Sequence, residues 1–221
     1  MSSMLKERSL ERTAVATARA PHTKEQQRRA SIEKLLAAAL ALFVTRGYHA
    51  TSVEQVAARA GLTKGAVYFY FRSKARLLLT LLDRVEEQVI APTLEAIAAG
   101  TDPRDKLVAF MHSQSLAGEK RAEPMLLAIL MATEFHGSRD PIERRLDGLF
   151  AQMHAALTAV VEQGKAARVF RRDLGTAETV SFIMAMNQGC FVEWYRRRTE
   201  LDGPAFVRAM RGIVLDGVIA R

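Results

Sequence analysis

Lys64, Arg72, Lys74 and Arg76 surround three consecutive rings, Tyr68, Phe69 and Tyr70, in the stretch TKGAVYFYFRSKARLL, which contains no acidic residue. Side chains of these kinds share one chemistry. Ammonium and guanidinium groups pair with phosphate oxygens, hydroxyls bond phosphates or base edges, and an exposed ring lies against bases or sugars. On a helix Val67 and Phe71 stand four apart and share one face, so they pack inward. The three rings between them cannot all follow. Tyr68 and Tyr70 suit phosphates through their hydroxyls, and Phe69 suits bases or sugars. Lys64 can donate to guanine acceptors and Thr63 to a phosphate or a base. Gly65 and Ala66 are small enough for a backbone to approach bases, and the Ala66 methyl can meet a thymine methyl. Lys74, with the free amides opening the next helix, forms a phosphate clamp.

Charge is distributed accordingly. The chain of 221 residues carries a formal net charge of +8. Residues 1–82 hold 14 Lys and Arg against 5 Asp and Glu, or +9, and residues 83–221 hold 18 against 19, or −1. A polyanion partner for the N-terminal third follows, either nucleic acid or an anionic membrane surface. The single cysteine, Cys190, excludes a disulfide framework and a cysteine-based zinc site. No apolar run reaches the ~20 residues that span a bilayer, and residues 1–27 lack the apolar core of a signal peptide. A cytoplasmic protein is expected.

The elements that must position these groups read as all-α. Residues 1–27 are expected to be a flexible basic arm. From Arg28, Ile32, Leu35, Leu36, Ala39, Leu40 and Phe43 trace an amphipathic helix that RGY closes at Gly47. Thr51 or Ser52 then caps a short helix, with Glu54 or Gln55 completing a capping box. Val53, Val56, Ala57 and Ala60 form its apolar face. Gly61 breaks it, and Thr63 caps a second short helix running to about Phe71. Two short helices joined by a glycine turn make a helix-turn-helix; in a DNA-binding one the second helix enters a major groove. Ser73 starts a longer helix that Pro92 kinks. Further helices are predicted near 103–119, 123–137, 141–167, 175–199 and 203–220, opened by TDP, AEP, RDP, LGTAE and LDGP. The domains are thus an arm at 1–27, a DNA-binding unit at 28–74 and a larger helical unit at 75–221.

The stretch TSVEQVAARAGLTKGAVYFYFRSKARLLLTLL, with its helical lead-in ending in RGY and its S-K opening of the fourth helix, resembles the signature of the TetR family of bacterial transcriptional regulators. The resemblance covers roughly residues 28–80. It implies phosphate-contacting roles for Thr51, Tyr68, Tyr70 and Lys74 and base-contacting roles for Lys64, Gly65, Ala66 and Phe69. Ser52 and Thr63 complete the expected DNA-binding set. A homodimer follows from the resemblance, and physics agrees: one short helix reads few bases, whereas two half-sites about 34–36 Å apart read a palindrome.

By the same resemblance the C-terminal unit holds a small-molecule pocket and the dimer interface. For the interface, one stripe carries Phe182, Met186, Gly189 and Glu193, and another carries Phe206, Met210, Ile213, Val214 and Gly217. Paired across two subunits they would form a four-helix bundle. For the pocket, MLLAILMATEFHG supplies Met125, Leu126, Ile129, Leu130, Met131, Glu134, Phe135 and His136, with Met111, His112, Phe150, Met153, His154 and Asn187 beside them. Methionine walls adapt to apolar ligands, and Glu134, if it faces the cavity, selects a cation. The expected function is a ligand-responsive regulator, a repressor released from a palindromic operator by a small, largely apolar effector. An activator of the same fold is the alternative, ahead of a helical enzyme or a nonspecific nucleic-acid binder. No cofactor or metal is expected, since the five histidines are scattered without metal-ligand spacing.

Overall fold

The computed structural model describes residues 23–220. Most of the expected arm therefore lies outside the described residues. Its last part does not, and it is helical: α1 runs over Lys24–Arg46, four residues before the predicted start at Arg28. Thr23 caps α1 in a reciprocal box with Gln26, whose amide oxygen accepts the Thr23 N–H at 2.8 Å. That polar cap leaves no apolar stripe to announce it, so the stripe alone dates the helix too late.

The chain then gives α2 at Val53–Ala60, α3 at Lys64–Phe71 and α4 at Lys74–Val85. Ser52, Thr63 and Ser73 each accept an N–H from the residue three places on. Gly61 closes α2 with φ +66, in the left-handed region that favours glycine. Leu35, Leu36, Ala39 and Phe43 of α1 meet Val53, Val56 and Ala57 of α2 and Val67 and Phe71 of α3 in one buried core.

α4 passes without a break through a π-helical stretch, Glu86–Ile90, into α5 at Ala91–Ala99. The widened turn lets the Ala91 N–H reach back to the Glu86 carbonyl, and Pro92, which has no N–H to place, follows at once. The irregularity that Pro92 predicted is present as this π turn. A larger correction concerns the next segment. The two helices expected near 103–119 and 123–137 are one, α6, at Pro103–Glu134, with Pro124 inside it. An internal proline forfeits a backbone bond, but here the flanking Met125, Leu126, Leu127 and Ala128 are all buried. Packing carries the helix through.

Three helices complete the fold: α7 at Pro141–Ala166, α8 at Thr176–Arg197 and α9 at Gly203–Val218. Aspartates at 102, 140 and 202 cap α6, α7 and α9, each with proline in the first turn. Among the described residues the only strand-like pairing is an isolated bridge, Phe170 to Ile219. It ties the chain after α9 to the connection between α7 and α8. No helix of the described residues is long and apolar enough to cross a membrane.

Candidate nucleic-acid interface and effector cavity

Helix α3 divides its rings as the spacing predicts. Val67 is sealed and Phe71 nearly so, while Tyr68 is 45% and Phe69 78% exposed. A phenylalanine left that open is unusual, and it does not float freely: its ring meets that of half-buried Tyr70 edge-on, with centroids 5.0 Å apart. Lys64, Gly65 and Thr63 are exposed at the leading edge, and Ala66 is half-buried behind them. Thr63 Oγ1 accepts the Ala66 N–H at 3.2 Å, which ties up one hydroxyl lone pair. Ser52 does the same for Gln55 at 3.2 Å. Lys64 is engaged within the unit: its Nζ lies 2.5 Å from Glu54 Oε1 and 5.9 Å from the Tyr68 ring centroid. The Lys64 hydrogen bond holds the Glu54 carboxyl down at about 2, aided by Glu54's own N–H and by Ser52.

Two residues of the expected phosphate-contacting set point elsewhere. Thr51 is buried, and its hydroxyl donates to the Gly47 carbonyl at 2.7 Å. Lys74 turns inward rather than out. Its Nζ donates to the Tyr48 and Thr51 carbonyls, each at 2.9 Å, and sits 4.1 Å from the centroid of the Tyr48 ring. Burial lowers the Lys74 pKa, with Glu134 opposing it. The clamp is thus internal: Lys74 fastens the turn between α1 and α2 to the start of α4. Arg72 and Arg76, beside it, are exposed and line a cleft with Tyr70, Phe71 and Thr80. Among the described residues neither takes part in an ion pair, and the absence of acids around them was the signal that sequence offered.

The second site is a cavity of about 510 Å³ between the middle of α6 and helices α8 and α9. Gln114, Gly118 and Glu119 line it from α6, Asn187, Phe191 and Trp194 from α8, and Phe206, Met210, Arg208 and Arg211 from α9. Of the residues expected at a pocket, His112 and Asn187 alone line this cavity. Met111, Met125, Met131, Met153 and Phe135 are sealed in the core, and Ile129 and Phe150 pack against it. Methionine stripes at helical spacing are here ordinary packing. His154 is half-buried on α7 outside the cavity lining. Glu134 is also elsewhere, at the far end of α6, accepting N–H bonds from Tyr48 and His49. The cation-selecting reading of Glu134 fails with that placement.

A buried polar chain leaves the cavity. Asn187 Nδ2 donates to Gln114 Oε1 at 3.1 Å, and Gln114 Nε2 donates to Thr93 Oγ1 at 2.8 Å. Thr93 in turn donates to the Val89 carbonyl at 2.7 Å, inside the π-helical stretch below α4. The interface stripes split as well. Phe182 and Ile213 are 59% and 66% exposed, and Gly189 and Gly217 lie open beside them. Met186 is half-buried, and Glu193 is paired with Arg197. Val214 and Met210 face inward, and Phe206 and Met210 belong to the cavity wall. Helical spacing puts them on one turn sequence, but α9 docks on α6 through that side.

Residues 35–81 match the family model described as "Bacterial regulatory proteins, tetR family". The MbdR regulator from Azoarcus sp. CIB, a solved structure, superposes with a TM-score of 0.78 at 40% identity, over 86% of this chain and 100% of that one. The chain belongs to the TetR family. The HTH-type transcriptional repressor KstR of Mycolicibacterium smegmatis is 30% identical over 141 residues, 62% of this chain and 69% of KstR. The HTH-type transcriptional activator FasR of the same organism is 38% identical over 80 residues, 36% of either chain. Membership makes this chain a helix-turn-helix transcriptional regulator with a helical C-terminal domain, of a family that binds operator DNA and small-molecule effectors.

Proposed function

We propose that the chain is a repressor that binds a palindromic operator as a homodimer and is released by an effector in the cavity between α6, α8 and α9. The observation that carries the DNA contact is the exposure of Phe69 and Tyr68 beside buried Val67 on α3. Such a split is costly unless the outer face meets a partner. Lys64, Gly65, Ala66 and Phe69 address base edges, and Tyr68, Tyr70, Arg72 and Arg76 hold phosphates. Phe182 and Ile213 are the anchors proposed for the dimer, since large apolar groups exposed on neighbouring helices are characteristic of a covered face. The match to KstR, named a repressor, covers 69% of that protein, whereas the match to FasR, named an activator, covers 36%, which favours repression.

The cavity volume lies within the ~300–1,000 Å³ usual for small-molecule sites. Phe191, Trp194 and Phe206 would enclose an apolar body, and Arg208 and Arg211 favour an anionic end. An effector that competes for Asn187 or Gln114 disturbs Thr93 and the π turn, and so tilts α4 with the recognition helix attached. Release then requires tighter binding of effector to the tilted state.

Selection from a pool of random duplexes tests the DNA reading. The expected product is an inverted repeat with half-site centres about one helical turn apart, bound by a dimer. Recovery of duplexes without sequence preference would overturn it.

A further inference from the structure

The turn between α1 and α2 is held from two sides by residues of two different helices, Glu134 of α6 in the C-terminal domain and Lys74 at the start of α4. Glu134, the last residue of α6, accepts the Tyr48 N–H at 2.9 Å on Oε2 and the His49 N–H at 2.7 Å on Oε1. Lys74, the first residue of α4, donates to the Tyr48 and Thr51 carbonyls. The Tyr48 backbone is therefore pinned at its N–H by one helix and at its carbonyl by another. Gly47 makes room for this. Its φ is +86, and a Cβ there would stand 3.2 Å from Glu134 Oε2. Phe135 seals the joint, with its ring centroid 5.1 Å from that of Tyr48 and 5.4 Å from that of His49.

Helix α6 runs without interruption from the cavity-lining Gln114–Glu119 segment to Glu134. At about 1.5 Å per residue, Glu134 stands roughly 22 Å along the axis from Glu119. One continuous helix thus has the cavity at its middle and the turn at its end.

We propose that Glu134 is a positioning residue for operator binding: its carboxylate clamps the α1–α2 turn, sets the pose of α2 and α3, and transmits movement of α6 to them. This rests on the DNA-binding reading given above. A carboxylate satisfying two backbone N–H groups forms charge-assisted bonds, stronger than neutral ones and sensitive to position. Displacing α6 along its axis lengthens both at once.

The test uses the full chain with Glu134→Ala and Glu134→Gln, and the duplex recovered by selection as probe. Glutamine offers one acceptor oxygen, so it keeps one of the two bonds. Hydrogen exchange at the Tyr48 and His49 amides should quicken more than tenfold in the alanine variant and less in the glutamine variant. Operator affinity should fall about tenfold and about threefold respectively, while affinity for a random duplex of the same length stays unchanged. A merely destabilised protein would lose both affinities together. If the alanine variant does not fold, the glutamine variant carries the same two readouts. Unchanged exchange, unchanged operator affinity, or equal loss on both duplexes overturns the proposal. Absence of sequence preference in the unaltered chain strikes the DNA-binding reading instead, and exchange still decides whether Glu134 holds the turn.

Discussion

Lys74→Met separates two roles that a lysine at the start of α4 can have. Methionine keeps the apolar stem and removes the ammonium, so packing along the stem is retained. What goes is a pair of 2.9 Å bonds to the Tyr48 and Thr51 carbonyls and the contact 4.1 Å from the Tyr48 ring centroid. A hydrogen bond to a charged group contributes about 1.5–3 kcal/mol when buried. Lys74 is half-buried and water can reach the freed carbonyls, so the two together should amount to ~1.5 kcal/mol. The cation–π contact adds about 0.5 kcal/mol. The expected loss is about 2 kcal/mol, or a fall in Tm of roughly 4–8 °C for a chain of this size. Thermal denaturation followed by circular dichroism reads it. Operator binding at several salt concentrations supplies the second axis: removing a phosphate contact reduces the slope of log K against log salt by about 0.9 per subunit. The internal position predicts a lower Tm with the slope unchanged. An unaltered Tm with a shallower slope would refute the reasoning and restore Lys74 to the DNA backbone.

Phe69→Ala should leave Tm within about 1 °C, because a side chain 78% exposed contributes little to folding. Anisotropy titration should nonetheless show operator affinity reduced by about 1–3 kcal/mol, the range for a lost base contact; full affinity would place the groove elsewhere. Acid should loosen the ties around α4. Glu33 is held below its usual 4.5 by the Arg84 hydrogen bond, and Glu86 by Arg145 and then Gln152. With folded pKa values depressed, both contributions are complete above the unfolded pKa and are lost as pH falls through the folded values. Tm should therefore decline below about pH 4.5, and Arg84→Met should flatten part of that decline; an identical acid profile in the variant would remove the Glu33 tie from the account.

The legible parts of this fold were those with local causes. Aspartate and proline announce α6, α7 and α9 because cap and first turn lie within a few residues of each other. The helix-turn-helix was legible for the same reason, through Ser52, Gly61 and Thr63. Pro124 misled because its local cost is outweighed by burial of the four residues after it, which no short window contains. The cavity was illegible in a different way. It is a gap between α8 and α9 walled by side chains from three helices, whereas the methionines that suggested a pocket sit on stripes that close on one another. Glu134 could be placed only by its partners, 86 and 85 residues away, and those partners are backbone amides that any sequence would have.

The polar ties that join the two domains among the described residues are individually modest, which suits a switch. Arg84 grips Glu33 with both nitrogens, at 2.8 and 2.5 Å, so α4 moves with α1. Arg145 of α7 holds Asp83 at 2.9 Å and Glu86 at 2.5 Å, so the lower end of α4 moves with the C-terminal domain. The π turn begins at Glu86 itself, and Thr93 with the chain from Asn187 arrives at Val89 within it. A ligand working through that turn has only to outweigh the clamps on the α1–α2 turn. Coupling between effector and operator is usually about 1–3 kcal/mol, and one or two charge-assisted bonds of the Glu134 or Lys74 kind are of that size. Stronger fastening would leave the operator-bound pose indifferent to effector. By reciprocity, operator binding must weaken effector binding by the same factor, so a cavity ligand should bind the operator-free chain more tightly by the factor with which it releases DNA.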